Sequence, residues 1–373
     1  MDNKKAKTIA ILTLGRHKDG VWIHKLVQCL LDKNIREKSG NRVEVQVVVL
    51  EDFLAAPVLV SEPNDTMSQW TAIVNRVSDA AEPWEVKACM SLLQIAKQVW
   101  KIPIFNGPDA YSVCTNKWCH HVLFAQAGLT SPTTIAMMKQ KNETDKHQFQ
   151  KSLKELQRHS SQTPKQNHND NDNDKEALDY LIKPNAGGFG SGIVRKSLAR
   201  EEIETNKQTS SNDNLPDYSD QMVLLQEYTS PKQQRIYRVW FLLGKAQSAV
   251  ERDISKDGSE FTSGCVGGAC TIRRAYEQKN DDGTTEKQPM ISIWEVPADV
   301  REEIENKLLP SLPADAHCGS VEFLYNDCED DDEAQRLYFD INLLSTLPLL
   351  DSNGNSSDKP WLELAKAIFE ICL

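Results

Sequence analysis

Lys183 ends the apolar run DYLIK (179–183) and is followed by Pro184 and by glycines at 187, 188, 190 and 192. Glycine adopts backbone conformations closed to other residues, so Gly187, Gly188, Gly190 and Gly192, with Ser191 among them, can turn main-chain N–H groups toward an anion. Lys183 adds a positive charge from the preceding strand. The chemistry would be phosphate binding. The pattern is not a P-loop, because Ile193 and Val194 stand where Lys and Ser/Thr are needed, and its spacing is not GxGxxG. Taken alone, the glycine run is equally a hairpin connection and Lys183 equally a strand-end surface lysine.

Other candidates lie downstream. VLLQEYTS (223–230) is an apolar strand that stops at Gln226, Glu227 and Tyr228, and RIYRVWFLLGKAQSAVERD (235–253) alternates like a hairpin with Gly244-Lys245 at its turn. Arg238, near the start of that hairpin, could face an anion or pair with Glu251. HCGSVEFLYN (317–326) and RLYFDINLLSTLP (336–348) read as a further strand pair. Asp340 and Asn342 are two residues apart and so share a face, while Glu322, between Val321 and Phe323, points away from the apolar side of its strand. Three oxygen donors from two strands can hold Mg²⁺, because phosphate oxygens and water complete its shell. The competing reading makes Asp340 and Asn342 a turn cap.

The elements that must position these residues are alternating strands and helices. Strands are expected at 7–15, 42–52, 71–78 and 102–105, with helices at 21–34 and 85–100, which is a βαβ beginning and predicts a parallel sheet covered on both faces. A second unit begins near 106, its helix ending at Gly128 and followed by a strand at 130–137. Residues 139–177 are polar and Asn/Asp-rich, so a helix followed by a disordered insert is expected, the insert over about 141–176. The expected division is 1–105 as an N-terminal α/β unit, with 106–230 and 231–373 as the two lobes of an α+β unit.

Bulk composition excludes several classes. The 373 residues are 39% hydrophobic and 26% charged, with no apolar run approaching a membrane span. A net charge of −11 argues against nucleic acid as the main partner. Nine cysteines, an odd number scattered through apparent core elements, fit reduced thiols and a cytoplasmic location. Self-association is left open.

The ordered set of motifs resembles the ATP-grasp superfamily, and within it the branch of glutathione synthetase and the RimK-type ligases. Lys117, in CTNKW, is similar to the first nucleotide lysine of that family and Lys183 to the second. Gly187 to Gly192 resemble the lid over the phosphates, and Gln226, Glu227 and Tyr228 the hinge whose backbone meets adenine. Arg238 matches an arginine set against the reacting phosphoryl and carboxylate, and Glu322, Asp340 and Asn342 match the metal ligands. EFTSGCVGGA (260–269), with Gly267 and Gly268, resembles a RimK-type loop that lacks the usual asparagine. Asp340 also stands where glutamate is usual, and LLSTLP (343–348) replaces the family's Asn-Pro.

The resemblance implies ATP and two Mg²⁺, and a carboxylate activated as an acyl phosphate that an amine or thiol displaces, releasing ADP and phosphate. Substrates would be small carboxylates and amines or a peptide acceptor. Arg16, His17 and Arg76, at the expected carboxyl ends of N-terminal strands, are the candidate substrate contacts. Two rivals share the fold: a kinase acting on a small polyol or inositol-phosphate-like substrate, which needs a strongly basic pocket, and a nucleotide-binding module without turnover.

Overall fold

The computed structural model describes residues 6–33, 43–55, 70–77, 81–138, 144–160, 177–187, 192–199, 203, 222–254, 275–279, 285–289, 291–326, 335–343 and 358–373. In the first third, runs rich in Val and Ile become β1 (Lys7–Thr13), β2 (Val43–Val49), β3 (Trp70–Asn75) and β4 (Ile104–Phe105). They form a parallel sheet in the order β2-β1-β3-β4, as the βαβ pattern predicts. Helices α1 (Val21–Leu30), α2 (Leu50–Ala55) and α3 (Pro83–Gln98) connect them. α1 stops at Leu30, short of the expected 34, because Asp32 and Lys33 offer nothing to bury. α3 starts on Pro83, and Glu85 accepts the Glu82 N–H at 2.7 Å, completing a capping box.

The segment from about 106 to Gly128, expected to hold one helix, holds two, α4 (Pro108–Cys114) and α5 (Lys117–Gln126). A second sheet follows, antiparallel throughout, in the order β5-β8-β6-β7: β5 (Thr134–Met138), β6 (Ala177–Pro184), β7 (Val194–Ala199) and β8 (Met222–Glu227). The expected insert at 141–176 begins as folded structure: α6 (Thr144–Ser160) lays Leu153 and Leu156 against Met137, Tyr180, Ile182 and Val223. The helix expected at the start of this polar stretch is thus present, with only one narrow stripe of it apolar, and it occupies the first part of the range given to the insert. Leu156→Ala should cost about 2–5 kcal/mol in urea unfolding, which a residue in a solvated segment would not.

The third sheet is antiparallel, in the order β13-β10-β9-β14-β15. Its strands are β9 (Arg235–Leu242), β10 (Lys245–Asp253), β13 (Ile291–Trp294), β14 (Cys318–Tyr325) and β15 (Arg336–Asn342); β11 (Ala275–Lys279) and β12 (Thr285–Pro289) form a separate ribbon. The β9–β10 turn lies at Leu243 and Gly244, with φ of 46° and 74°, one residue earlier than expected, so that Lys245 pairs with Leu242. The short helix α7 (Ala298–Glu303) follows β13, and α8 (Lys359–Cys372) closes the chain.

Apolar side chains join the first sheet to the third. Leu12 and Ile73 of the first sheet share one cluster with Val239, Phe241 and Val321 of the third, and Ile9 and Ile11 share another with Trp240, Leu242 and Trp361. The second sheet and α6 keep a core of their own. The architecture is mixed α/β, as expected. The six described cysteines are free thiols, and no helix among the described residues is long and apolar enough to cross a membrane.

Candidate active site

Lys183 is not a surface residue. It is 4% exposed, and its Nζ donates to Gln226 Oε1 at 2.8 Å on the neighbouring strand β8. A neutral amide compensates a buried cation poorly. Burial, and the nearby charge of Lys117, push the ammonium down to about 7, with Asp340 acting the other way. Gln226 in turn donates to Thr134 Oγ1 (2.9 Å) and meets His121 Nε2 (3.1 Å). Its side chain therefore serves Lys183 rather than a base. The N–H groups of Glu227 and Tyr228 donate to the carbonyls of Thr133 (2.8 Å) and Asp179 (3.0 Å), so a base at this hinge must use carbonyls or later N–H groups.

Lys117 opens α5. Asn116 caps that helix by accepting the Cys119 N–H at 3.2 Å, and Asn185 adds a second cap from outside: its carbonyl accepts the Lys117 N–H (2.9 Å) and its Oδ1 the Trp118 N–H (2.8 Å). A lysine at the first helical position opposes the helix dipole. Its position serves the site instead: Nζ donates to the Gly187 carbonyl at 2.6 Å and lies 3.9 Å from Asp340 Oδ1. Gly187, at φ 115°, occupies a conformation that other residues avoid. Gly192, at φ 77°, ends the connection between β6 and β7, which is a hairpin as one reading allowed; Gly188, Gly190 and Ser191 lie outside the described residues.

On the third sheet the register places Arg238 of β9 directly opposite Glu322 of β14, and Glu322 directly opposite Asp340 of β15. Three chemical groups thus form one file across the sheet. Arg238 pairs with Glu322, while Glu251 goes to Arg235. A register shift between Glu322 and Phe323 skips Phe339, a bulge beside the file of the kind that re-aims side chains. Burial and Asp340 push the Glu322 carboxyl up against the pull of Arg238. Burial would raise Asp340 too, but Lys117, His120 and Lys183 together hold it well below the usual carboxylate range. His120 Nδ1 is 3.0 Å from Asp340 Oδ1. Asn342 lies on the same face, opposite Ser320.

Two residues absent from any motif hold the end of β15. Asn106, at φ 56°, accepts the N–H groups of His317 (2.9 Å) and Cys318 (3.1 Å) and donates to the carbonyl of Leu343, the residue after Asn342. At Gly319 an added Cβ would lie 2.8 Å from the Asn342 carbonyl. Both details fix where Asn342 sits.

Glu322, Asp340 and Asn342 are all hard oxygen donors on adjacent strands, which suits Mg²⁺. Among the described residues, no cluster of three His, Cys, Asp or Glu side chains has metal-site geometry, so a cation here would rest on two carboxylates and one amide.

The N-terminal candidates fare differently. Arg16 is committed to Glu85 through two contacts of 2.6 and 2.7 Å, and His17 is pushed down by burial and by Arg16, which keeps it neutral. Arg76 stacks over Trp22 at 4.2 Å. Gly267 and Gly268 lie outside the described residues.

No family model and no curated protein sequence matches the chain. Solved structures do. It is similar to D-cycloserine synthetase DcsG (14% identity, TM-score 0.54), over 97% of this chain and 99% of that one. It is also similar to the ATP-grasp ligase PsnB complexed with minimal precursor, Mg and ADP (12%, 0.54, 97% of each chain). A third is D-alanine–D-alanine ligase from Bacillus anthracis complexed with ATP (13%, 0.53, 98% and 97%). The chain has the fold of these ATP-grasp ligases.

Proposed function

We propose that this protein is an Mg²⁺-dependent ligase that uses ATP to join a carboxylate to an amine or thiol through an acyl phosphate, releasing ADP and phosphate. One observation carries the reading: the Arg238–Glu322–Asp340 file lies on the same site as two buried lysines, Lys117 and Lys183, within the fold of known ATP-grasp ligases. Phosphoryl transfer asks for charge and alignment rather than a covalent nucleophile.

Lys117 and Lys183 would bind the phosphates, and a phosphate beside Lys183 would draw a proton onto its amine. Arg238, which pairs with Glu322, would turn to the reacting carboxylate and phosphoryl group as substrate binds. It would then steady the oxyanion formed as the amine or thiol adds. Glu322, Asp340 and Asn342 would hold Mg²⁺, which would supply charge neutralisation on the phosphates. The second sheet's hinge, Gln226 to Tyr228, would flank the base, and the glycine connection would shield the acyl phosphate from water.

DcsG is named as a synthetase and PsnB is seen with a precursor peptide, so both amino acids and peptides belong among the acceptors to try. The alternative of a kinase on an inositol-phosphate-like substrate, which needs a strongly basic pocket, loses support, since Arg16 is neutralised by Glu85 and burial pushes His17 away from its charged form. The decisive experiment incubates the protein with Mg²⁺-ATP and pooled amino acids and peptides, reading ADP release together with product mass. Amide or thioester formation supports the proposal. A phosphorylated acceptor instead, or ATP binding without turnover, overturns it.

A further inference from the structure

We infer that His121 is a positioning residue, which fixes the direction of the Gln226 amide and thereby holds Lys183 for nucleotide. The inference rests on the nucleotide-site reading above and adds a residue that no motif contains. As an ammonium Lys183 can only donate, so in that form it must face the amide oxygen, as it does at 2.8 Å. The two amide hydrogens then need two acceptors. Thr134 Oγ1 is one, at 2.9 Å, and its own hydroxyl is free to accept because it donates to the Pro132 carbonyl at 2.9 Å. His121 Nε2 is the other, at 3.1 Å. Rotating the amide by half a turn would set its NH₂ against the ammonium and its oxygen against Thr134 and His121. Only the orientation seen satisfies both the ammonium and the two amide hydrogens.

This arrangement requires His121 Nε2 to keep a lone pair, so the ring carries its hydrogen on Nδ1. That atom has no hydrogen-bond partner among the described residues, although the side chain is 6% exposed. An unmet buried donor costs about 1–3 kcal/mol. Burial, with Lys183 next in weight, pushes the imidazole well below its ordinary range, so it stays a neutral acceptor. A local rule is broken at one nitrogen to preserve the acceptor at the other.

The test compares His121→Leu, which deletes the acceptor, with His121→Gln, whose Oε1 can reach the position of Nε2. Isothermal titration should show ADP binding weakened about tenfold in the first and within about twofold of wild type in the second. Turnover at saturating ATP should change little in either. Gln226→Glu added to His121→Leu should restore affinity, because a carboxylate presents oxygen to Lys183 in both orientations. His121→Asn, too short to reach Gln226, gives the same reading as Leu should that variant not fold. Equal affinity in wild type and His121→Leu, or equal loss in Leu and Gln variants that melt like wild type, overturns the inference. A nucleotide-free readout separates it from the functional reading: the Lys183 Nζ resonance in ¹⁵N-lysine-labelled protein should move in His121→Leu and hold in His121→Gln. If that pattern appears and the wild type binds no ADP, the functional proposal fails and the positioning role stands. If the resonance is unmoved in His121→Leu, the positioning role fails whatever ADP does.

Discussion

Lys183→Met should weaken ADP binding by about a hundredfold or more while leaving the folded protein at least as stable as wild type. The two halves have one cause. Lys183 is a buried cation with a neutral amide for its partner and a second lysine nearby, so the fold gains little from its charge. Methionine has a similar volume and no charge to desolvate. A phosphate ligand, by contrast, meets an ammonium already stripped of water and aimed by Gln226. The pH dependence follows the same logic. In the folded chain the amine titrates at about 7, against an ordinary 10.5, so between those values the unfolded chain binds more protons. Stability therefore rises with pH across that window, and the penalty is fully present below it. Urea midpoints at pH 7 and 9.5 should show a larger rise for wild type than for Lys183→Met. A parallel rise in both would mean that Lys183 is not the group responsible.

Asp340→Asn should damage both turnover and the fold. Asp340 is the anion that Lys117, His120 and Lys183 share. Removing its charge leaves two buried lysines facing one another, a loss of about 3 kcal/mol by analogy with broken buried ion pairs. Turnover at fixed Mg²⁺ should fall about 10²- to 10³-fold, and raising Mg²⁺ should recover part of it if the carboxylate is a metal ligand. Recovery distinguishes a ligand from a purely structural charge. Turnover that drops only in proportion to the unfolded fraction would assign Asp340 to stability alone.

Much of this was legible in the residues. Period-two and helical patterns located β1, β3, α3 and the β14–β15 pair, because strands buried on one or both faces leave a strong apolar signature. Glu322 and Asp340 were placed on one strand pair by alternation, but their direct opposition depends on the bulge at Phe339, which nothing in RLYFDIN announces. The residues around Lys183 leave open whether it is a surface lysine or a phosphate ligand, because burial of a charged terminus depends on what covers it, and His121 and Gln226 come from elsewhere in the chain. The same holds for Arg238: both Glu251 and Glu322 were in reach of its strand, and only the register of three strands decides between them. Asn106 and Asn185 were invisible for a related reason. A lone asparagine carries no period, and its role appears only when distant backbone groups converge on it. The His120-His121 doublet, on a helix of mostly apolar residues, is the signal in the sequence that points to these two side chains.

The second sheet and α6 have a core separate from the one that joins the other two sheets. Lys183 and Gln226 belong to the first of these bodies, Asp340 and Arg238 to the second, and Lys117 reaches between them through Gly187 and Asn185. Local opening of the smaller body can therefore proceed without melting the larger. A nucleotide gripped from both sides would act as a staple, making one cooperative unit of what are otherwise two. Substrate concentration would then set not only how fast the protein works but how it unfolds and which of its backbone amides exchange with solvent.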